Sequence, residues 1–382
     1  MPTLSRRSDQ GFTASQWVTT QWRAAPEGDI NGNVAFSGHD HIEINPTFFQ
    51  RLDKKIEAVV NAGLLPEPVL LWAIGSKSKD EINPGYGLPE DQAIALVKHM
   101  VARWQAYPVV WILGGDGNYG AEKAQRWRNI GRAVFGNGPH APVAMHLGGG
   151  QWVAEEFRDE PWMSLMGYQS GHGDSDNTLD WIVQGPPSKH DPDLFYMNLE
   201  PCYENHVAYH SKKPHDAFSV RRAIYWSLLN APTAGVTYGG HGVWGWDDGT
   251  TPSVDHSGSG IPLPWRQALR MPAAEQMRHL YNSFTSINWS ALVPAPDLLV
   301  DQPGLTNVQQ HISASRSLSG NLAVVYIPIA TTVTLRTESL QPDLTSAWHN
   351  PRTGEHLPAN SSQMDHLTFI PPDKEDWLLI MS

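Results

Sequence analysis

Three carboxylates stand where apolar runs stop. Val109–Asn118 (VVWILGGDGN) passes from apolar residues through two glycines to Asp116, with Asn118 two positions on. Phe195–Glu204 (FYMNLEPCYE) ends its apolar stretch on Glu200, is halted by Pro201, and carries Glu204 in the loop that follows. In a parallel barrel the functional groups lie just beyond the C-terminal ends of the strands, so an acid at such an end, beside glycines that leave room for a ligand, is a candidate acid or base. Two such acids on different strands could cleave a glycosidic bond: one protonates the leaving oxygen, the other attacks the anomeric carbon or activates water. A separation of about 5 to 5.5 Å would mean retention of configuration, and about 6.5 to 9.5 Å inversion. The same residues have plainer uses. Asp116 could cap a helix beginning near Gly120, and Glu200 or Glu204 could pair with Arg221 or Arg222.

Other run ends would wall a sugar site. Gly167–His172 (GYQSGH) supplies Tyr168, Gln169 and His172; Tyr203 falls between the two glutamates; Tyr238–Asp248 (YGGHGVWGWDD) supplies Tyr238, Trp244 and Trp246. Sugars offer C–H faces to indole rings and hydroxyls to amide, phenol and imidazole groups. Asn118 belongs with this set, and Gln16, Trp72 and His146, at or near the ends of three further apolar runs, extend it.

The elements that must position these residues alternate in type. Strands are expected at Phe12–Thr19, Pro68–Ile74, Val109–Gly115, Val143–Leu147, Ser164–Tyr168, Leu194–Leu199 and Gly235–Trp246. Between them, Pro46–Ala62 places Phe48, Phe49, Leu52, Ile56, Val59 and Val60 at helical spacing, with Asn45 to cap it, Pro46 in its first turn and Gly63 at its end. Pro89–Tyr107 repeats the pattern, and further helices are expected near Glu122–Val134, Leu179–Val183, Ala217–Asn230 and Trp265–Ser286. Repeated βα units predict an α/β fold with a parallel sheet. Seven strands fall one short of a (β/α)8 TIM barrel, and the segment before Phe12 reads as the tail of a helix, so either the first βα unit is absent, or the start is to be assigned differently, or the barrel closes in another way. After Trp289 a Pro-rich connector leads to alternating strands at Leu322–Ile327 and Thr331–Leu335, a turn at Asn350–Gly354 and a closing strand at Trp377–Met381. Residues 1–290 are therefore expected to be the barrel and 291–382 a small all-β sandwich.

Composition excludes several partners. The 382 residues carry 27 Lys and Arg against 39 Asp and Glu, a formal charge of −12, which suits neither nucleic acid nor an anionic membrane surface. A single cysteine, Cys202, excludes an intrachain disulfide and a cysteine-based metal site. No apolar run approaches the ~20 residues of a membrane helix, and Met1–Gln10 has no apolar stretch like that of a signal peptide. Localisation is left open.

Taken together, WILGGDGN (Trp111–Asn118), NLEPCYE (Asn198–Glu204), YGGHGVWGWDD, WHNPRTGEH (Trp348–His356) and PPDKEDWLLIM (Pro371–Met381) resemble the apiosidase-like glycoside hydrolase family, from about Arg6 to the end. The family joins a (β/α)8 barrel to a C-terminal β-sandwich named for collagen binding. The resemblance implies cofactor-free hydrolysis of a glycosidic bond in a carbohydrate substrate, apiose-containing pectic side chains (rhamnogalacturonan II) being the best-known case. It also implies Asp116 as general acid/base and a Glu of the EPCYE segment as nucleophile, with Glu200 preferred because it ends the strand and Glu204 as alternate. Family members begin with a further strand of G-D-T-x-W type. With that strand counted, Asp116 follows strand four and Glu200 strand seven, as in the large clan of retaining (β/α)8 glycosidases.

Two other classes stay open. A catalytically impaired carbohydrate-binding relative would fit the absent first unit. A metal-dependent hydrolase is suggested by 17 His and by His39-Asp40-His41, since imidazole and carboxylate suit zinc, although that cluster lies in a loop well after its strand and no metal ligand is assigned.

Overall fold

The computed structural model describes residues 2–75, 83–136, 138–189, 194–254, 256–363 and 366–382. They form two compact units, Met1–Gly171 with Gly245–Pro262, and His172–Trp244 with Leu263–Ser382.

In the first unit a parallel sheet runs β1 (Ala14–Val18), β2 (Leu65–Trp72), β3 (Trp111–Gly115) and β4 (Val143–Ala144), in that spatial order. Helices Pro46–Asn61, Glu90–Trp104 and Ala124–Phe135 fill the three crossovers. The first of these forms where its residues predict: Asn45 Oδ1 accepts from the Thr47 and Phe48 N–H groups, Pro46 opens it, and Gly63 turns away at φ +74°. Its stripe of Phe49, Leu52 and Ile56 shares one core with Leu96, Val97, Met100 and Trp104 of the second helix, Trp127 and Ile130 of the third, and Trp111 and Leu113 of β3. A fifth strand, β5 (Met166–Tyr168), follows, and the Ser164 N–H donates to Val143 O at 2.9 Å.

Strand β2 begins three residues earlier than its expected start at Pro68 and contains both Pro66 and Pro68. The Leu65 N–H goes to Thr13 O, so the nitrogens of Pro66 and Pro68, which carry no hydrogen, face the other way, toward β3. On that side Pro66 O accepts from the Val110 N–H at 3.0 Å, and the paired register with β3 runs from Val69, which faces Ile112. Gln16 lies in the middle of β1, paired in register with Glu67. It is therefore below the rim where a ligand-binding role would place it.

In the second unit β6 (Tyr196–Asn198) and β7 (Thr233–Val236) are parallel and joined through helix Ala217–Leu229, which Asp216 caps by accepting from the Ser219 N–H at 2.8 Å. Strand β7 is short. The expected run to Trp246 ends as a strand at Val236; beyond it Gly240 makes an isolated parallel bridge with Glu204, and Gly242, at φ +112°, turns the chain. The expected helix Trp265–Ser286 is two helices, Trp265–Ala268 and Pro272–Thr285, since Pro272 cannot continue the first but suits the start of the second.

The C-terminal part is two antiparallel sheets, of six and three strands among the described residues. Strands Ala323–Ile327 and Trp377–Met381 pair along their length, and every residue of both is buried. One face, with Ala323, Val325, Ile327, Trp377, Leu379 and Met381, fills the core between the sheets. On the other face of Ala323–Ile327 packs helix Ala217–Leu229, where Tyr326 stacks on Tyr225 with ring centroids 4.6 Å apart. These strands therefore read as continuous apolar runs, not as the alternation of a sandwich with one wet face.

No helix among the described residues is long and apolar enough to cross a membrane.

Glu67 is 4% exposed, and burial pushes its carboxyl up to about 7 from 4.5. A raised folded value means that the folded chain holds a proton the unfolded chain releases, so stability falls as pH rises between these values and the loss is complete above about 7. Glu67→Gln is expected to melt near the wild type at pH 4 and to be more stable at pH 8, by on the order of 3 kcal/mol. Thermal unfolding of both proteins at the two pH values checks this; an equal difference at both would contradict it.

Candidate active site

In the first unit, Asp116 leaves β3 at φ +47°, a left-handed conformation that few non-glycine residues adopt and that costs on the order of 1 kcal/mol or more. What surrounds it explains the preceding glycines. A Cβ on Gly115 would lie 2.5 Å from Trp72 and Val69, and one on Gly114 would lie 2.7 Å from the Tyr119 hydroxyl. The Asp116 N–H donates to His146 Nδ1 at 3.0 Å, which places the ring proton of His146 on Nε2. Trp72, in register with Gly115, packs edge-on against Trp22 at 4.6 Å, and its ring centre is 6.2 Å from that of His146. The rim of β2, β3 and β4 thus carries Trp72, Asp116 and His146 side by side. Tyr119 is fully buried beneath the turn, and burial, with the Asp116 charge adding to it, drives its hydroxyl well above the ordinary phenol value.

Asn118 is exposed and accepts from the Gly120 N–H at 3.2 Å, so the local turn cap considered for Asp116 is made by Asn118. Tyr168 is buried with its ring centre 6.3 Å from that of Trp152. Gln169, 6% exposed, accepts from the Gly150 N–H through its backbone, while its Oε1 has no hydrogen-bond partner among the described residues. The Trp72 Nε1–H is in the same position. Trp246 is 58% exposed and held at φ +54°, an unusual conformation for a bulky residue.

In the second unit, Glu200 lies two residues past β6. Its N–H donates to Asn198 Oδ1 at 3.3 Å, and its Oε1 lies 2.9 Å from His172 Nε2. The tautomer follows from a second bond: His172 Nδ1 accepts the Tyr203 N–H at 3.3 Å, so the proton sits on Nε2 and is donated to Glu200. His172 stacks on His206 at 4.0 Å and meets Tyr203 edge-on at 4.6 Å. Its carbonyl accepts from His215 Nε2 at 3.0 Å; burial pushes His215 below the ordinary imidazole value. The arginines considered as partners of Glu200 are engaged elsewhere, Arg221 with Asp376 and Gln276, and Arg222 with Gln309.

Glu204 has another occupation. It is 3% exposed and accepts from the N–H groups of Ala273 (2.9 Å) and Ala274 (3.3 Å) and from the Tyr238 hydroxyl (2.8 Å). A carboxylate seated on the first turn of helix Pro272–Thr285 is stabilised by the unpaired N–H groups and the dipole there. Tyr238 is thereby committed to Glu204, and the Tyr203 ring lies over Gly239, where a Cβ would be 1.9 Å from it. Trp244 is half-buried in the turn beyond β7. Burial pushes the Cys202 thiol up to about 12, which rules it out as a nucleophile near neutral pH.

The geometry adds residues that the pattern of runs did not single out. Trp22, Asn198, His206, His215 and His241 are all buried. Only Asn198 carried a signal, as a polar residue inside an apolar strand. His39 has Nδ1 on Asp40 (2.7 Å) and Nε2 on Gly87 O (2.8 Å), and among the described residues no group of three or more His, Cys, Asp or Glu could hold a metal ion.

The sequence matches the family model "Apiosidase-like, catalytic domain" over residues 3–291 and "Putative collagen-binding domain of a collagenase" over residues 293–382. The chain belongs to the apiosidase-like family. No curated protein matches it. Among solved structures it is similar to one named "Glycoside hydrolase", at 19% identity over 99% of this chain and 87% of the other, with a TM-score of 0.82. A glycoside hydrolase family 5 structure from Bacteroides vulgatus matches at 18% identity, over 99% and 84% of the two chains, with a TM-score of 0.84. At such identities the likeness is one of fold. This is a mixed α/β protein with a C-terminal antiparallel domain, and its family and shared fold support a glycoside hydrolase.

Glu204→Gln would replace a charged acceptor at the helix start by a neutral amide, and a loss of about 1 to 3 kcal/mol is expected. Thermal unfolding at pH 7 measures it; an unchanged midpoint would mean that the helix start does not depend on this carboxylate.

Proposed function

We propose that the chain is a retaining glycoside hydrolase with a (β/α)8-type catalytic region over residues 1–290 and an all-β domain over 291–382. Asp116 is its general acid/base and Glu200 its nucleophile. The Asp116 carboxyl protonates the leaving oxygen while the Glu200 carboxylate attacks the anomeric carbon, giving a glycosyl-enzyme ester; Asp116 then takes a proton from the water that hydrolyses it. The observation that carries this reading is the contrast between the two glutamates. Glu204 is seated on the first turn of a helix, accepting from two of its N–H groups and a phenol, whereas Glu200, at a strand end, faces an imidazole whose tautomer is fixed. A nucleophile needs such orientation without being neutralised.

At Asp116 the support is the strained backbone among rim aromatics, since strain of this kind persists where the surroundings over-determine it. The buried Trp72 N–H and Gln169 Oε1 offer a donor and an acceptor suited to sugar hydroxyls, and the exposed Trp246 ring a stacking face. The substrate class is a plant or microbial polysaccharide or oligosaccharide, with apiose-containing glycans first among those to try because of the family.

Asp116→Asn and Glu200→Gln should each lower turnover of a 4-nitrophenyl glycoside by about a thousandfold or more with melting points near wild type. Proton NMR of the first-formed sugar should show the anomeric configuration of the substrate. Wild-type rates in both variants would end this assignment. Thermal stabilisation by sugars with no hydrolysis across a broad panel would identify a binding relative instead.

A further inference from the structure

We propose that the C-terminal β domain is a positioning element for Glu200 and not a separable binding module; this rests on the assignment of Glu200 as nucleophile. The first observation is the apolar character of its central strands, which have no face left for solvent. Val324 and Tyr326 on one strand, and Leu378 and Ile380 on the next, are all at most 3% exposed, yet they lie on the side away from the domain's own core. What packs on that side of the first strand is helix Ala217–Leu229, the connection that directly follows the Glu200 loop.

The contacts to this helix are specific. Asp376, fully buried, accepts from Arg221 Nε (2.9 Å) and Nη2 (2.8 Å) and from the Tyr326 hydroxyl (3.1 Å). The Trp226 indole N–H donates to His311 O (2.9 Å), and the Ser315 hydroxyl to Leu229 O (2.7 Å), so the helix is gripped along its length. Its opposite side reaches the catalytic strand. Ser227 Oγ accepts from Asn198 Nδ2 (2.9 Å) while donating to Ala223 O, and Asn198 Oδ1 accepts the Glu200 N–H. Asn198 and Ser227 are 1% and 4% exposed, so neither bond has water as an alternative partner.

A continuous series of buried polar contacts therefore runs from Asp376 through one helix to the backbone of Glu200. Helices are stiff over such a length, and small displacements of a reacting group cost large factors in rate. Asp376, Arg221, Ser227 and Asn198 are positioning residues in this scheme, because none of them reaches the substrate except through another.

The test uses the full-length chain carrying Asp376→Asn, Tyr326→Phe, Ser227→Ala, or Asp376→Asn with Ser227→Ala. Each is assayed well below its melting point on the 4-nitrophenyl glycoside that the wild type turns over fastest, with hydrogen exchange followed by mass spectrometry. A positioning role predicts that Asp376→Asn lowers kcat at least tenfold with KM within twofold, Tyr326→Phe about threefold, and the double variant no more than the larger single one. Exchange should quicken over residues 196–204 as well as in 292–382. The proposal is overturned if kcat stays within twofold of wild type in all variants and faster exchange is confined to 292–382. Should Asp376→Asn fail to fold, Tyr326→Phe decides by the same two readouts. If Glu200→Gln keeps its activity, the nucleophile assignment falls, and exchange at 196–204 still judges the mechanical coupling.

Discussion

A carboxylate taken out of water must find donors or keep its proton, and this demand sorts the acids of the protein. Asp376 meets it with a guanidinium and a phenol, and Glu160 with Arg132 and the Trp162 indole. Glu204 meets it with the start of a helix. Glu67 has burial alone, which pushes its carboxyl up toward neutrality. Glu200 is the more exposed of the two glutamates in its segment: an oriented imidazole N–H faces it and its side chain stays 12% exposed.

The same demand ties the C-terminal domain to the catalytic half. Without Arg221, buried Asp376 would keep the more distant Arg352, 3.7 Å away, but would lose its two guanidinium hydrogen bonds, which favours folding of the sheet that carries one against the helix that carries the other. The stacking of Tyr225 on Tyr326 and the apolar second face of the central strands act in the same direction. That is why the compact unit runs across the family boundary near residue 292 and includes both the strand bearing Glu200 and the β domain.

Much of this was legible in the chain. Asn45-Pro46 and Gly63 delimit a helix, and Gly114-Gly115-Asp116 and Glu200-Pro201 mark strand ends, because caps, prolines and glycines act over a few residues and owe little to distant contacts. The misreadings have equally local causes. Trp265–Ser286 looks like one amphipathic stretch until Pro272 is given its due, and Gln16 looks like a rim residue until its pairing with Glu67 sets it mid-strand. The run to Trp246 has aromatic residues suited to a strand, but past Val236 only an isolated bridge at Gly240 remains before Gly242 turns the chain.

The sequence by itself determined the alternation of strands and helices, the change to an all-β tail, and which acids end apolar runs, since each depends on periodicity and on the conformational limits of single residues. Tertiary structure alone decided which of those acids is spent. Glu200 and Glu204 are four positions apart and chemically alike, and what separates them is the set of donors brought to each from residues 172, 238, 273 and 274. No local rule reports such a partnership, because a hydrogen bond is set by distance in space and the chain brings those donors in from as far as 70 residues away.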